Sequence, residues 1–177
     1  METPLVLKDL TANPAPLGLL GFGLTTILLN MHNAGLFALG SMILAMGIFY
    51  GGIAQVIVGI MEWQKGNTFG MTAFCSFGLF WITFVALTVF PSLGIGEKNS
   101  AVAMAAFLAV WGVLLIGMTM KTLKMNRLMQ FIFGSATLLF FLLAIATLTG
   151  NAVVHQIAGI EGVICGASAM YAGVKQL

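Results

Sequence analysis

The polar positions of this chain cluster, and between the clusters run long apolar stretches. Residues 15–61 contain no Asp, Glu, Lys or Arg. A helix needs about 20 apolar residues to cross a bilayer, so that stretch predicts two spans joined by a turn at Asn30 to Gly35. Glu62, Trp63, Gln64, Lys65, Gly66 and Asn67 then read as an interfacial loop. Four further apolar runs follow, broken at Pro91 to Lys98, at Lys121, Lys124 and Arg127, and at Gly150 and Asn151. The pattern predicts an all-α polytopic membrane protein with six spans at about 15–31, 36–61, 68–90, 101–120, 128–149 and 153–174. Residues 1–13 are a short N-terminal segment of one transmembrane domain covering 1–177. They lack the basic start and apolar core of a signal peptide, so the first span is expected to direct insertion.

Composition sharpens this. Of 177 residues, 60% are hydrophobic and 7% charged, against about 25% charged in soluble domains. The net charge of +2 gives no footprint for nucleic acid. Cys75 and Cys165 lie in apolar runs without a CxxC spacing, and read as small core residues. Orientation follows from the cations. With the N-terminus inside, Lys8, Lys65, Lys121, Lys124, Arg127 and Lys175 fall on the inner side and only Lys98 on the outer. Both termini are then cytoplasmic in the inner or plasma membrane.

The first span carries more polar character than an anchor needs. Asn13 offers an N-cap, and Pro14 and Pro16 suit a first helical turn. Gly18, Gly21 and Gly23 permit close helix packing. Thr25 and Thr26 add hydroxyls before Asn30, His32 and Asn33. Such a helix fits the wall of a narrow polar path. Gln55, Thr72, Ser76, Thr83, Ser135 and Thr137 lie within other spans. A mid-span Gln is the more telling, because an unsatisfied amide in hydrocarbon is expensive, whereas Ser and Thr can bond back to their own helix. Neutral donors with few fixed charges suit a small polar solute or a weak acid. Thr25, Asn30, Gln55 and Thr72 are the candidate solute contacts. Glu161, inside the sixth span, and His32, at an outer turn with His155, are the proton-linked candidates. Glu62 and Lys65 read as an i,i+3 pair on a solvated helix end. No metal-ligand spacing, cofactor fingerprint, nucleophile elbow or HExxH appears, so neither a metal, a cofactor nor an enzyme is expected.

A weak repeat is visible. Asn13, Asn67 and Asn126 stand nine or ten positions before Phe22, Phe77 and Ala136 in the odd spans, and Tyr50, Trp111 and Tyr171 recur in the even ones. These read as three hairpins of roughly 60 residues, with a path between the units.

Three stretches carry a resemblance: NPAPLGLLGFGLTTILLN (Asn13 to Asn30), MGIFYGGIAQVIVGIMEWQKGNTFGMTAFCSFGLFW (Met46 to Trp81) and CGASAMY (Cys165 to Tyr171). They resemble the acetate uptake transporters, also called succinate–acetate permeases, over essentially the whole chain. The resemblance implies a six-helix protomer, similar in fold to the proton-gated urea channels, assembled as a homohexamer with one path per protomer. It implies a hydrophobic neck whose matching positions are Phe22, Phe77 and Ala136. Phe77 stands where relatives commonly carry Tyr, and Ala136 where they carry a larger Leu. The expected activity is passage of small monocarboxylates, chiefly acetate and also succinate, coupled to protons. The expected partners are these acids, membrane lipid and further copies of the chain. The alternatives are a channel for ammonia or a neutral solute such as urea, and a non-transporting signalling or assembly protein.

Overall fold

The computed structural model describes residues 11–177; Lys8, counted above in the orientation, lies outside them. Among the described residues six helices are long and apolar enough to cross a membrane: α1 (Ala15–Asn33), α2 (Ser41–Gln64), α3 (Thr68–Leu93, its last turn a 3₁₀ turn from Phe90), α4 (Ala101–Thr122), α5 (Arg127–Thr149) and α6 (Ala152–Val174). Among the described residues there is no strand. Alternation of direction gathers Lys65, Lys121, Lys124, Arg127 and Lys175 at one end of the bundle, the basic end, and His32, Lys98 and His155 at the opposite end.

The caps follow the sequence. Asn67 Oδ1 accepts from Gly70 N, Asn126 Oδ1 from Met129 N, and Asn13 Oδ1 from Ala15 N. Each gives a partner to an N–H that the helix leaves orphaned, an effect worth about 1 kcal/mol per cap. The three asparagines of the repeat therefore start the three odd helices at the basic end. Asn30 is not in the turn after the first span. Its Nδ2 donates to the Thr26 carbonyl at 2.9 Å and its Oδ1 accepts from Asn33 Nδ2 at 3.0 Å. Bonding along its own helix carries α1 on to Asn33.

Packing is densest between α1 and α6, α2 and α3, and α4 and α5. The 60-residue sequence units are α1–α2, α3–α4 and α5–α6, so the tightest seams join one unit to the next. At the α1–α6 seam a Cβ on Gly23 would stand 2.7 Å from the Gly166 carbonyl, and one on Gly166 would stand 2.7 Å from the Gly23 carbonyl. Only glycine at both positions permits that approach. Within α2, residues Phe49–Ala54 widen into a π turn. The Tyr50 carbonyl there points at α1, 2.6 Å from where a Cβ on Gly21 would be. Gln55 follows the π turn immediately, and such turns recur at functional sites.

Candidate substrate path

A cavity of about 650 Å³ opens at the basic end between α1, α2, α3, α5 and α6. Its walls are mostly apolar, and Phe22, Phe77 and Ala136 all line it. Each sits two to three turns into its helix from the basic end, because each follows its Asn cap by the same nine or ten residues. The Phe22 and Phe77 ring centroids are 4.8 Å apart, tilted at 49°, within the range of attractive aromatic contact. Ala136 is 1% exposed and offers only a methyl group to the same space. Gln55 lines the cavity too. Its side chain is fully buried, and neither its Oε1 nor its Nε2 has a hydrogen-bond partner. A buried amide without partners is costly, so this one is available to a polar solute.

The mouth carries charge of both signs. Arg127 and Lys175 are exposed there, while Glu62 is 3% exposed. Glu62 is therefore not the solvated helix end that its spacing to Lys65 suggested. Its Oε2 accepts from Asn67 Nδ2 at 2.6 Å, and Lys65 Nζ donates to the Thr11 carbonyl at 2.8 Å. A Cβ on Gly70 would lie 2.8 Å from Glu62 Oε2 and 2.6 Å from Asn67 Nδ2. The asparagine that caps α3 thus also holds the carboxylate in the wall, and Gly70 leaves room for both.

The remaining candidates stand apart from this cavity. Thr25 is fully buried with its hydroxyl unpartnered, against the π turn at Gly51, and does not line the cavity. Asn30 is committed to α1, packed on Gly162 of α6. Thr72 is exposed on the outside of the bundle, and its hydroxyl donates to the Thr68 carbonyl at 2.8 Å. His32 Nδ1 lies 2.8 Å from the Phe37 carbonyl. Glu161 bridges α6 to α5, with Ser135 Oγ donating to its Oε1, and its Oε2 is buried without a partner. Ser135 precedes Ala136, so this carboxyl is tied to the helix segment whose Ala136 methyl lines the cavity.

Two lining residues were missed in the sequence. Phe133 lies one turn before Ala136, with its ring 6.2 Å from Phe77 and 5.1 Å from Phe69. Its i, i+3 spacing to Ala136 was the available signal. Glu62 left none, because its burial depends on Asn67 and Gly70 across a loop.

The six-helix bundle and its partly apolar internal cavity define a polytopic membrane protein. The sequence profile of the GPR1/FUN34/yaaH family matches residues 4–177, and the chain belongs to that family. The succinate-acetate/proton symporter SatP of Escherichia coli (strain K12) is 55% identical over 166 residues, which cover 94% of this chain and 88% of that protein. The ammonia transport outward protein 2 of Saccharomyces cerevisiae is 39% identical over 168 residues, 90% of this chain and 59% of that protein. A solved structure described as the bacterial acetate channel SatP superimposes with a TM-score of 0.91 at 55% identity, covering 93% of this chain and 91% of that one.

Proposed function

We propose that this chain passes small monocarboxylates, chiefly acetate and also succinate, across the inner or plasma membrane with protons, through the cavity and a neck at Phe22, Phe77 and Ala136. The observation that carries the reading is that those three residues share one cavity with the unpartnered Gln55 amide. The names of the bacterial relatives supply the substrate class. Carboxyl groups titrate at about 4 to 5, so acetate is mostly ionised at neutral pH. A bare carboxylate cannot cheaply enter an apolar constriction. Arg127 and Lys175 at the mouth attract the anion, and the Gln55 Nε2–H₂ group replaces part of its water shell at the neck. Thr25, buried near the π turn, is a second candidate contact. Glu161 and His32 are the proton-linked groups of this reading. The termini are cytoplasmic, and six copies form the assembly that the resemblance implies.

A second reading is favoured by the yeast relative named for ammonia transport. An apolar neck without fixed charge suits a small neutral molecule, and ammonia in its neutral form would cross it without desolvating an ion.

Uptake of radiolabelled acetate into proteoliposomes under an imposed pH gradient, with ammonia and urea as competitors, separates the readings. Acetate accumulation that follows the gradient and is blocked by succinate is the expected result. Ammonia flux without acetate uptake would replace the first reading by the second. Labelling of single cysteines from outside is expected to reach position 98 and not position 124, and the reverse pattern would invert the topology.

A further inference from the structure

A second cavity, about 640 Å³, opens on the outside of the bundle between the basic-end halves of α3 and α4. It is lined by Phe69, Thr72, Leu114, Gly117, Met118 and Lys121. Its origin lies in how the two helices meet. Toward the opposite end Phe80 stacks on Phe107, with centroids 5.7 Å apart, and meets Trp111 edge-on at 5.2 Å. Among the described residues no ring pair joins α3 to α4 in the basic-end half, where the cleft lies.

The walls and the mouth of this cleft differ in chemistry. Leu114 is 41% exposed, and a Cβ on Gly117 would meet nothing within 4 Å. Thr72 spends its proton on the Thr68 carbonyl. Thr68, the first residue of α3, also lines the cleft at its basic end, and beyond that hydroxyl the walls present hydrocarbon and no free donor. Lys121 ends the cleft, with exposed Lys124 and Arg127 beyond it in the loop. No Asp or Glu occurs in α3, α4 or α5, and the nearby Glu62 is buried on the cavity side and bonded to Asn67. The cationic mouth therefore faces no carboxylate from the helices that form it.

We propose that this cleft binds an anionic phospholipid of the leaflet at the basic end, with an acyl chain along Leu114, Gly117 and Met118 and the phosphate at Lys121. An apolar groove ending in a cation at the membrane surface matches the two halves of such a lipid, and basic pockets between spans on the cytoplasmic side are known lipid sites. A soluble anion would leave the apolar wall unused. A helix of a second copy would set apolar surface against the Lys121 charge, an expensive arrangement.

The position of the cleft gives the lipid a consequence. Phe69 and Met125 line both this cleft and the main cavity. Phe69 contacts Phe133, Phe133 contacts Phe77 and Phe77 contacts Phe22, at centroid distances of 5.1, 6.2 and 4.8 Å. A chain in the cleft supports the outer side of the wall whose inner side leads to the neck, so transport should rise with anionic lipid. That consequence rests on the transport reading; the binding itself does not.

Native mass spectrometry of the full chain in mild detergent, stripped of lipid and titrated with phosphatidylglycerol, phosphatidylcholine of the same chains, or glycerol 3-phosphate, tests the site. Phosphatidylglycerol should be retained at least about tenfold more tightly than phosphatidylcholine, and glycerol 3-phosphate should not be retained. Lys121→Gln should weaken phosphatidylglycerol about fivefold, the effect of one interfacial lysine, and leave phosphatidylcholine unchanged. Gly117→Phe, which fills the groove, should remove both. Equal retention of the two lipids, tight retention of glycerol 3-phosphate, or indifference to both substitutions would overturn the proposal. So would a changed number of subunits in Gly117→Phe with phosphatidylglycerol still bound, which would make the cleft a seam between copies. Acetate uptake in vesicles with and without phosphatidylglycerol is the parallel measurement. Absence of all uptake would sink the transport reading and leave the binding result standing.

Discussion

Where α1 meets α6, Gly23 and Gly166 bring backbone against backbone, and each leaves no room for a Cβ on the other. Where α3 meets α4, the helices touch through Phe80, Phe107 and Trp111 toward one end and line the cleft toward the other. The burial of the helices follows the same division. Of the apolar window of α1, 56% is buried within the protomer, against 28% for α4. A seam of glycine on glycine has one geometry, because packed backbones cannot yield by changing a rotamer. A seam of rings and a lipid-facing cleft can adjust. The cavity has Phe22 of α1 on its rigid side and Phe77 and Phe133 on the other, and Phe69, beside Phe133, lines the adjustable cleft. The cavity therefore has one wall fixed by backbone contact and another that backs onto the cleft.

The largest effect is expected at the glycine seam. Gly166→Leu would drive a side chain into the Gly23 carbonyl and the Ile27 side chain, which lie 2.7 and 2.8 Å from a Cβ at that position. Overpacking a core of this kind commonly costs about 1–3 kcal/mol, and more where only backbone can move. The expected outcome is loss of folded protein, read as the yield of monodisperse material in size-exclusion chromatography. A normal yield would show that α1 and α6 can separate, and the rigid half of the comparison would fall.

Next comes the neck. Ala136→Leu adds three carbons to the cavity beside Phe22 and Phe77. Under the proposed function it should lower succinate uptake relative to acetate by about tenfold, within the range of discrimination that a changed apolar pocket gives. Phe22→Ala should move the ratio the other way. Initial uptake of both acids, normalised to folded protein, is the measurement. An unchanged ratio in both variants would make these residues core and place the selective step elsewhere.

Much of this was legible in the sequence, because membrane spans are written in uninterrupted apolarity. The Asn landmarks at positions 13, 67 and 126 also marked the starts of the odd helices, since a cap is a local event. Phe22, Phe77 and Ala136 meet in one cavity because equal distances from equal caps place them at one level. Pairing of helices was not legible: glycine faces on α1 and α6 announce close packing without naming the partner. Thr72 shows the limit in a single residue. A hydroxyl in a span reads alike whether it faces a path or the bundle exterior, and only the packing of α3 against α2 and α5 turns it outward. Glu62 fails in the opposite direction, because its burial is made by Asn67 and Gly70.

Glu62 gives the third expected effect. Glu62→Gln keeps an oxygen for Asn67 Nδ2 but replaces the carboxyl group of a 2.6 Å hydrogen bond by a neutral amide. Hydrogen bonds to charged groups contribute about 1.5–3 kcal/mol and neutral ones about 1. The variant should lose about 1 kcal/mol of stability, seen as a lower midpoint of thermal unfolding in detergent. Glu62→Ala should lose more, because it removes the hydrogen bond to Asn67 Nδ2 altogether and leaves a gap where the buried Glu62 side chain packed. Equal midpoints for all three proteins would return Glu62 to a solvated helix end.

The smallest effect belongs to the adjustable seam and has the opposite sign. Gly117 lies inside α4, more than one turn before its last residue Thr122, and its missing Cβ faces open space. Glycine in a helix interior is less favourable than alanine by up to about 1 kcal/mol, because the unfolded chain has more freedom to lose. Nothing in the packing of α4 offsets that. Gly117→Ala should therefore raise the unfolding midpoint slightly and leave the subunit number unchanged. Gly166→Ala, the same chemical change at the rigid seam, should lower the midpoint, because its Cβ would meet the Gly23 carbonyl at 2.7 Å. The pair of measurements isolates packing from propensity, since propensity acts alike at both sites. A drop in both variants would mean that α4 also packs backbone against backbone in the assembled protein, and that its exposed face is covered by another copy.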